Sequence, residues 1–267
     1  MTITVSLLFY GDHPELADRC LRSLWERLPD ARGHVRDLRL GYNEISPRTR
    51  QVVDWFVTQA AAQGWPLITY DCPQNACKYP LMRRMLLADP VPPAPWVMWF
   101  DDDSYLTGPA GWWQQLLTAA AEADMLGKLY TQGVVGQQWE WVSRQPWFNP
   151  QVGPPPVQRR HRGPAFRFAT GGWWVIRSQL LAAHDWPTRE LRHRGGDCLL
   201  GELCRHQRLR LVNWEDGVRI NADAIGRHSK SPRRGVDEHQ LGHLTARPLP
   251  DHDFACTRTV YGDLHVS

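Results

Sequence analysis

The first hundred residues alternate short apolar, β-rich runs with stretches whose apolar residues recur at helical spacing. Ile3-Thr4-Val5-Ser6-Leu7-Leu8-Phe9 predicts a strand. After Tyr10-Gly11-Asp12-His13-Pro14, a helix is expected over Glu15 to Leu28, with Leu16, Cys20, Leu21 and Leu24 on one face. A second strand is expected at Val35 to Leu40, followed by Gly41-Tyr42-Asn43-Glu44 and a helix from about Arg48 to Gln63. A third strand runs from Pro66 to Tyr70, and a helix led by Lys78 and Arg83 follows. Trp96-Val97-Met98-Trp99-Phe100 is too short for a helix and is insulated by Pro92, Pro93 and Pro95, so it reads as a buried parallel strand. Strands alternating with helices mean parallel βαβ units.

Beyond Tyr105 the pattern loosens. Gly111 to Ala123 reads as a helix bearing Trp112, Leu116 and Leu117. Residues 131–167 carry many prolines and several tryptophans without periodicity and read as an irregular, loop-rich wall. Ala169 to Arg177 joins a Gly-Gly kink to a β-rich run, Asp197 heads an apolar helix, and Arg208 to Trp214 reads as a further strand.

Composition narrows the class. The chain has 267 residues, 42% of them hydrophobic, which suits one α/β domain. The N-terminus shows no basic leader, and no apolar run approaches the roughly 20 residues of a membrane span, so a soluble, cytoplasmic protein without a membrane partner is expected. The six cysteines form no regular framework and no Cys-x-x-Cys, so reduced thiols are expected. A glycine-rich phosphate loop is absent, which argues against a dinucleotide-binding domain. The net charge of +3 says little by itself, and most of the 14 tryptophans are expected in the core or the cleft wall.

The candidate chemistry sits at the end of the Trp96–Phe100 strand, where Asp101, Asp102 and Asp103 follow directly. Open α/β sheets bind ligands at the carboxyl edge of their strands. Alternate carboxylates there can hold a hard divalent cation, which in turn holds nucleotide phosphates. A solvated acidic loop is the plain alternative.

The strand ending in Asp-x-Asp resembles the metal and nucleotide-sugar site of GT-A glycosyltransferases. Haloacid-dehalogenase-type phosphatases place two aspartates after a strand too, but near the start of their domain and followed by Thr or Val, whereas Ser104 follows here. The resemblance implies a Rossmann-like, mostly parallel sheet flanked by helices. Residues 1–105 would form the nucleotide-sugar-binding half of a single domain, and residues 106–267 the acceptor-side and catalytic half. It assigns Tyr10 and Asp12 to the base and ribose, and Gly171 and Gly172 to the surroundings of the transferring sugar, where only glycine lets a backbone come close. Asn43 falls on the same ligand edge, and Lys78 or Arg83 could pair with the diphosphate. Turn residues, a solvated helix face and a plain β-bulge are the structural alternatives.

Gly195-Gly196-Asp197 resembles the acidic motif with which Fringe-type and core-1-type inverting galactosyltransferases supply the catalytic base. Their pattern has two acids together; here Gly196 takes the first place and leaves Asp197 alone. A helix N-cap is its alternative role. A late histidine is the third metal ligand in several GT-A families, which points to His228, with His243 as fallback. The implied enzyme is a metal-dependent, inverting glycosyltransferase. Asp101, Asp103 and His228 would hold Mn²⁺ or Mg²⁺, Asp101 and Asp102 would also reach the ribose, and a UDP-sugar such as UDP-glucose is the expected donor. A non-catalytic nucleic-acid or glycan binder of the same fold is the competing class.

Two basic segments suggest the acceptor: Arg159, Arg160, Arg162 and Arg167, and then Arg227, Lys230, Arg233 and Arg234. Flanking one site, they would suit phosphate tracking, with Trp173 among the tryptophans able to hold a base turned out of a duplex. Lys78-Tyr79-Pro80, Trp99 to Ser104, Thr170 to Trp174 and His228 to Gly235 together look similar to bacteriophage glycosyltransferases linked to hydroxymethylated pyrimidines. That resemblance implies DNA carrying 5-hydroxymethylcytosine as acceptor and, for a phage-encoded protein, the host cytoplasm as its location. A polysaccharide, lipid or protein hydroxyl is the alternative.

Overall fold

The computed structural model describes residues 1–134, 138–193, 195–220 and 255–263. In chain order the strands are β1 (Ile3–Tyr10), β2 (Val35–Asn43), β3 (Leu67–Cys72), β4 (Trp96–Asp101), β5 (Ser104–Leu106), β6 (Met125–Gly133), β7 (Val157–Gln158), β8 (Gly163–Arg177), β9 (Leu211–Asn213), β10 (Val218–Ile220) and β11 (Thr257–Tyr261). The helices are α1 (Pro14–Trp25), α2 (Pro47–Ala62), α3 (Lys78–Leu86), α4 (Trp112–Ala121), α5 (Gln138–Ser143), α6 (Ser178–Ala183) and α7 (Gly196–His206). Among the described residues no helix is long and apolar enough to cross a membrane.

One sheet organises the chain, in the order β11-β3-β2-β1-β4-β8-β6-β9. The strands β3, β2, β1 and β4 are parallel. β8 runs antiparallel to β4 and β6, and β9 pairs parallel with β6. The mostly parallel α/β architecture expected from the sequence is therefore present. Both faces are covered, and side chains divide by parity along each strand as a pleated sheet requires. Ile3, Val5, Leu7 and Phe9 of β1, with Trp96, Met98 and Phe100 of β4, join the core beneath α1, α2 and α4. Leu8, Val97 and Trp99 face the other core, which α3 and α7 close. Proline opens both α1 and α2, and Ser46 caps α2 by accepting from the Thr49 N–H at 3.2 Å.

Three expectations change. Part of the stretch expected to be an irregular wall is ordered: β6 continues to Gly133, and β7 and β8 form a hairpin around residues 159–162. Prolines punctuating this stretch hid its period. The Gly-Gly pair is not a turn entering a strand but lies inside the 15-residue β8. Its ladder partners jump from Gly127↔Trp174 to Leu129↔Ala169, so residues 170–173 bulge out of the pairing with β6. Finally, the cysteines are not all reduced, because Cys72 and Cys256 form a disulfide. β11 pairs antiparallel with β3, placing Thr257 opposite Asp71 and so bringing these two cysteines together across 184 residues of sequence.

Candidate active site

The acidic loop leaves β4 at the carboxyl edge of the sheet, between the ends of β1 and β8. The Tyr10 backbone N–H donates to Asp102 Oδ2 at 3.3 Å, and the Ser104 hydroxyl donates to the Gly172 carbonyl at 2.9 Å. These bonds tie the loop to both neighbouring strands. Asp102 and Asp103 are buried, at 3% and 5% exposure. Behind them, burial and the charges of Asp102 and Asp103 push the Cys20 thiol well above its ordinary pKa.

Asp101 is held differently. Lys78 Nζ lies 2.7 Å from Asp101 Oδ2, and Trp99 Nε1 donates to Oδ1 at 2.9 Å, so both oxygens have protein donors. The same ammonium donates to the Gly171 carbonyl at 2.7 Å. Lys78 opens α3 directly after Cys77, whose φ of +64° is strained for a residue with a side chain. Asn75 Oδ1 accepts the Cys77 N–H and Asn43 Oδ1 accepts the Ala76 N–H, both at 2.8 Å, and these bonds fix the strained loop.

Asp197 comes from the opposite side, on α7. The N-cap is Gly195 with φ +82°, so Asp197 is not the cap but the second residue of the helix, where an acid also complements the helix dipole. Two glycines seat α7. A β-carbon on Gly201 would lie 2.4 Å from the Arg167 carbonyl, which lets the helix lie close along β8. One on Gly196 would lie 2.3 Å from the Tyr79 ring. Asp197 consequently faces the bulge: a β-carbon on Gly171 would be 3.6 Å from Asp197 Oδ2 and 3.2 Å from Lys78 Nζ. Burial raises the Asp197 pKa above its ordinary value, and the Lys78 charge partly opposes the rise. The Asp197 carboxyl, the Lys78 ammonium, Asp101 of the acidic strand end and the Gly171 bulge thus lie together at the strand ends.

Among the described residues no three His, Cys, Asp or Glu side chains converge as a metal site. Two buried carboxylates on one loop are nonetheless a donor set that fits a hard divalent cation, since Mg²⁺-type ions are commonly held by one or two carboxylates plus substrate phosphates and water. His228, His243, Arg227, Lys230, Arg233 and Arg234 lie outside the described residues.

Several expected site residues are placed elsewhere. Trp173 is fully buried against Phe100 and Trp214, so it belongs to the core and cannot stack on an acceptor. Its neighbour Trp174 is buried on the other face, stacked on Trp99 at 5.9 Å. Arg83 is committed to Asp185 at 2.7 Å and to the Pro187 carbonyl at 2.8 Å, which turns it away from the acidic loop. Asp12 is exposed and accepts from the Ser46 hydroxyl at 2.6 Å. Asn43 is buried and serves the loop before α3. Arg159, Arg160 and Arg162 crowd the β7–β8 turn, Arg167 projects from β8 opposite Thr131, and all four are exposed. Sequence reasoning missed the partnership of Trp99 with Asp101 and of Tyr79 with Gly196. A glycine in place of an acid was the only signal of the second.

No protein-family model matches the chain, and no curated protein is detectably similar in sequence. Solved structures do match its fold. Residues 1–349 of TarS from S. aureus superpose with a TM-score of 0.51 at 15% identity, covering 81% of this chain and 58% of that one. The mannosyltransferase PcManGT from Pyrobaculum calidifontis, solved with GDP-Man and Mn²⁺, superposes at 0.50 with 12% identity, covering 79% of this chain and 54% of its own. The chain therefore spans less than three-fifths of the length of either neighbour. At such identities the likeness concerns the fold, and that fold is the GT-A glycosyltransferase type.

Proposed function

We propose that the protein is a metal-dependent, inverting glycosyltransferase that moves a sugar from a nucleotide-sugar donor to an acceptor hydroxyl. The observation that carries this reading is the convergence of Asp197 Oδ2, the Lys78 ammonium and the acidic strand end at Gly171, where a β-carbon would lie 3.6 Å from the carboxylate and 3.2 Å from the ammonium. An attacking hydroxyl needs a base of raised pKa within reach. Asp197 Oδ2 takes the proton of the acceptor hydroxyl as its oxygen attacks the anomeric carbon from the face opposite the leaving diphosphate. Asp103, with Asp102, would hold Mn²⁺ or Mg²⁺, and His228 would complete the set. A bound cation supplies neutralisation of the charge that develops on the departing diphosphate.

PcManGT was solved with GDP-Man and Mn²⁺, which makes a nucleoside-diphosphate sugar with Mn²⁺ the first donor to test, UDP-glucose among them. DNA bearing 5-hydroxymethylcytosine is the acceptor we favour. The exposed arginines of the β7–β8 hairpin support it: Gly163 and Gly171 are eight residues apart on β8, or roughly 25 Å at strand rise. That distance suits flanking phosphates rather than the reacting nucleotide. Radiolabelled nucleotide sugars, Mn²⁺ and hydroxymethylated or unmodified DNA test both parts. Label should enter only the hydroxymethylated DNA, and transfer should stop in chelator. Donor turnover without label on any DNA would turn the search to polysaccharide, lipid or protein hydroxyls, and no turnover of any donor would overturn the enzyme reading.

A further inference from the structure

Lys78 is an unusual residue to find inside this site. Its side chain is 9% exposed, and an ammonium is costly to bury unless it is well paired. The chain accepts a strained φ at Cys77 to place it, and two side-chain amides hold the strained loop. The GT-A resemblance implies that Lys78 pairs with the donor diphosphate, but the geometry of Lys78 differs from that. At 2.7 Å from both Asp101 Oδ2 and the Gly171 carbonyl, the ammonium bridges the strand that ends in the acidic loop and the bulge that faces Asp197. Trp99 closes the other oxygen of Asp101 from within the sheet.

We propose that Lys78 is a positioning residue, a strut that fixes the β8 bulge against the acidic loop through Asp101, and that neither Lys78 nor Asp101 binds the donor diphosphate or the metal. The proposal rests on the glycosyltransferase reading and deepens it. The strut fixes the spacing between the Gly171 backbone and the end of the acidic strand. It also neutralises a carboxylate that would otherwise sit uncompensated beside Asp197. Its loss therefore misplaces the reacting groups without removing a donor contact.

The test uses Lys78→Met, Asp101→Asn and the double variant in the full chain, with kcat, donor KM and the Mn²⁺ requirement measured for each. Lys78→Met should lower kcat on the order of 10²-fold, the cost of about 1 Å of misplacement, with donor KM little changed. The double variant should recover much of that loss, because it leaves no unpaired charge. Asp101→Asn, which keeps a side chain of the same size, should lower kcat and leave the Mn²⁺ requirement as in the wild type, whereas Asp103→Ala should raise it. A large rise in donor KM with kcat retained would make Lys78 a diphosphate ligand and overturn the strut. So would a double variant no better than Lys78→Met, or a Mn²⁺ requirement shifted in Asp101→Asn as far as in Asp103→Ala. A wild-type protein that turns over no donor would instead overturn the underlying function, and the two failures are distinct.

Discussion

A β-carbon on Gly196 would lie 2.3 Å from Cζ of Tyr79, inside any permissible contact. Only glycine therefore fits at the first position of α7, immediately before Asp197. The Tyr79 ring, itself packed edge-on against Trp186 at 5.9 Å, occupies the space that a side chain at position 196 would need. Its hydroxyl is held far above its ordinary pKa by burial, with Asp197 and Asp101 adding to the shift. The ring therefore acts as a neutral floor for the helix that bears Asp197.

Gly196→Ala should consequently displace the start of α7. Overpacking of this kind costs about 1–3 kcal/mol. Thermal unfolding should shift down by a few degrees, roughly 2–4 °C per kcal/mol for a domain of this size. Activity should fall further than stability, because Asp197 is the next residue. Tyr79→Ala in the same chain should relieve part of the loss. Unchanged unfolding in Gly196→Ala would show that the helix start yields freely.

Asp197→Asn keeps the size of the side chain and removes its basicity. Turnover should drop by about 10²–10⁴-fold with donor binding preserved. Because burial raises the Asp197 pKa from 3.8, the acid limb of wild-type kcat/KM should sit above the usual carboxylate range, and activity should be lost as pH falls through it. Lys78, Asp101 and Tyr79 face this carboxyl; Lys78 lowers its pKa, so Lys78→Met should move the limb to still higher pH. The stability linked to Asp197 has the opposite sense. It is fully present below 3.8 and is lost as pH rises through the raised value, so Asp197→Asn should unfold at a higher temperature than wild type near neutrality. An acid limb at ordinary carboxylate pH would remove the base role.

The disulfide gives a direct chemical count. Denatured without reductant, the chain should show four reactive thiols, Cys20, Cys77, Cys198 and Cys204, and reduction should raise the number to six. Closing a loop across 184 residues is worth about 5 kcal/mol in the chain-entropy model. Reduction should therefore lower the unfolding temperature, and Cys72→Ser should match the reduced wild type. Arg258 paired with Asp89 keeps part of β11 in place when the bond is cut. Six thiols before reduction would exclude the cross-link.

The parallel half of the sheet was legible because its strands are bounded by turn residues and its helices carry one apolar face, as in Leu16, Cys20, Leu21 and Leu24. The position of the acids was legible for the same reason, since a short apolar run insulated by prolines can only deliver them to a strand end. What lay beyond reach depends on register. The bulge at Gly171 exists only as a mismatch in the number of residues between two ladder pairs. Trp173 and Trp174 look alike in sequence, yet successive residues of a strand point to opposite faces, and both faces of this strand are buried. The disulfide depends on β11 returning to β3 after the whole sheet has been built.

The hairpin arginines carry the last prediction. Arg159, Arg160 and Arg162 are exposed on a turn roughly 25 Å along β8 from Gly171, where they can touch an extended polyanion but not the reacting group of a small acceptor. Each arginine that neutralises one phosphate releases condensed counterions, so the logarithm of affinity falls by roughly 0.9 per contact for each decade of salt. Changing the three to alanine should flatten the salt dependence of duplex binding by up to about three contacts, while nucleotide-sugar turnover in the absence of DNA stays at the wild-type level. The loss should be the same for hydroxymethylated and unmodified duplex, because phosphate contacts position a protein without reading bases. Binding titrations across a salt series with the wild type and the triple variant decide it. An unchanged slope would take the hairpin out of the acceptor path and favour an uncharged acceptor, leaving the chemistry at Asp197 as it stands.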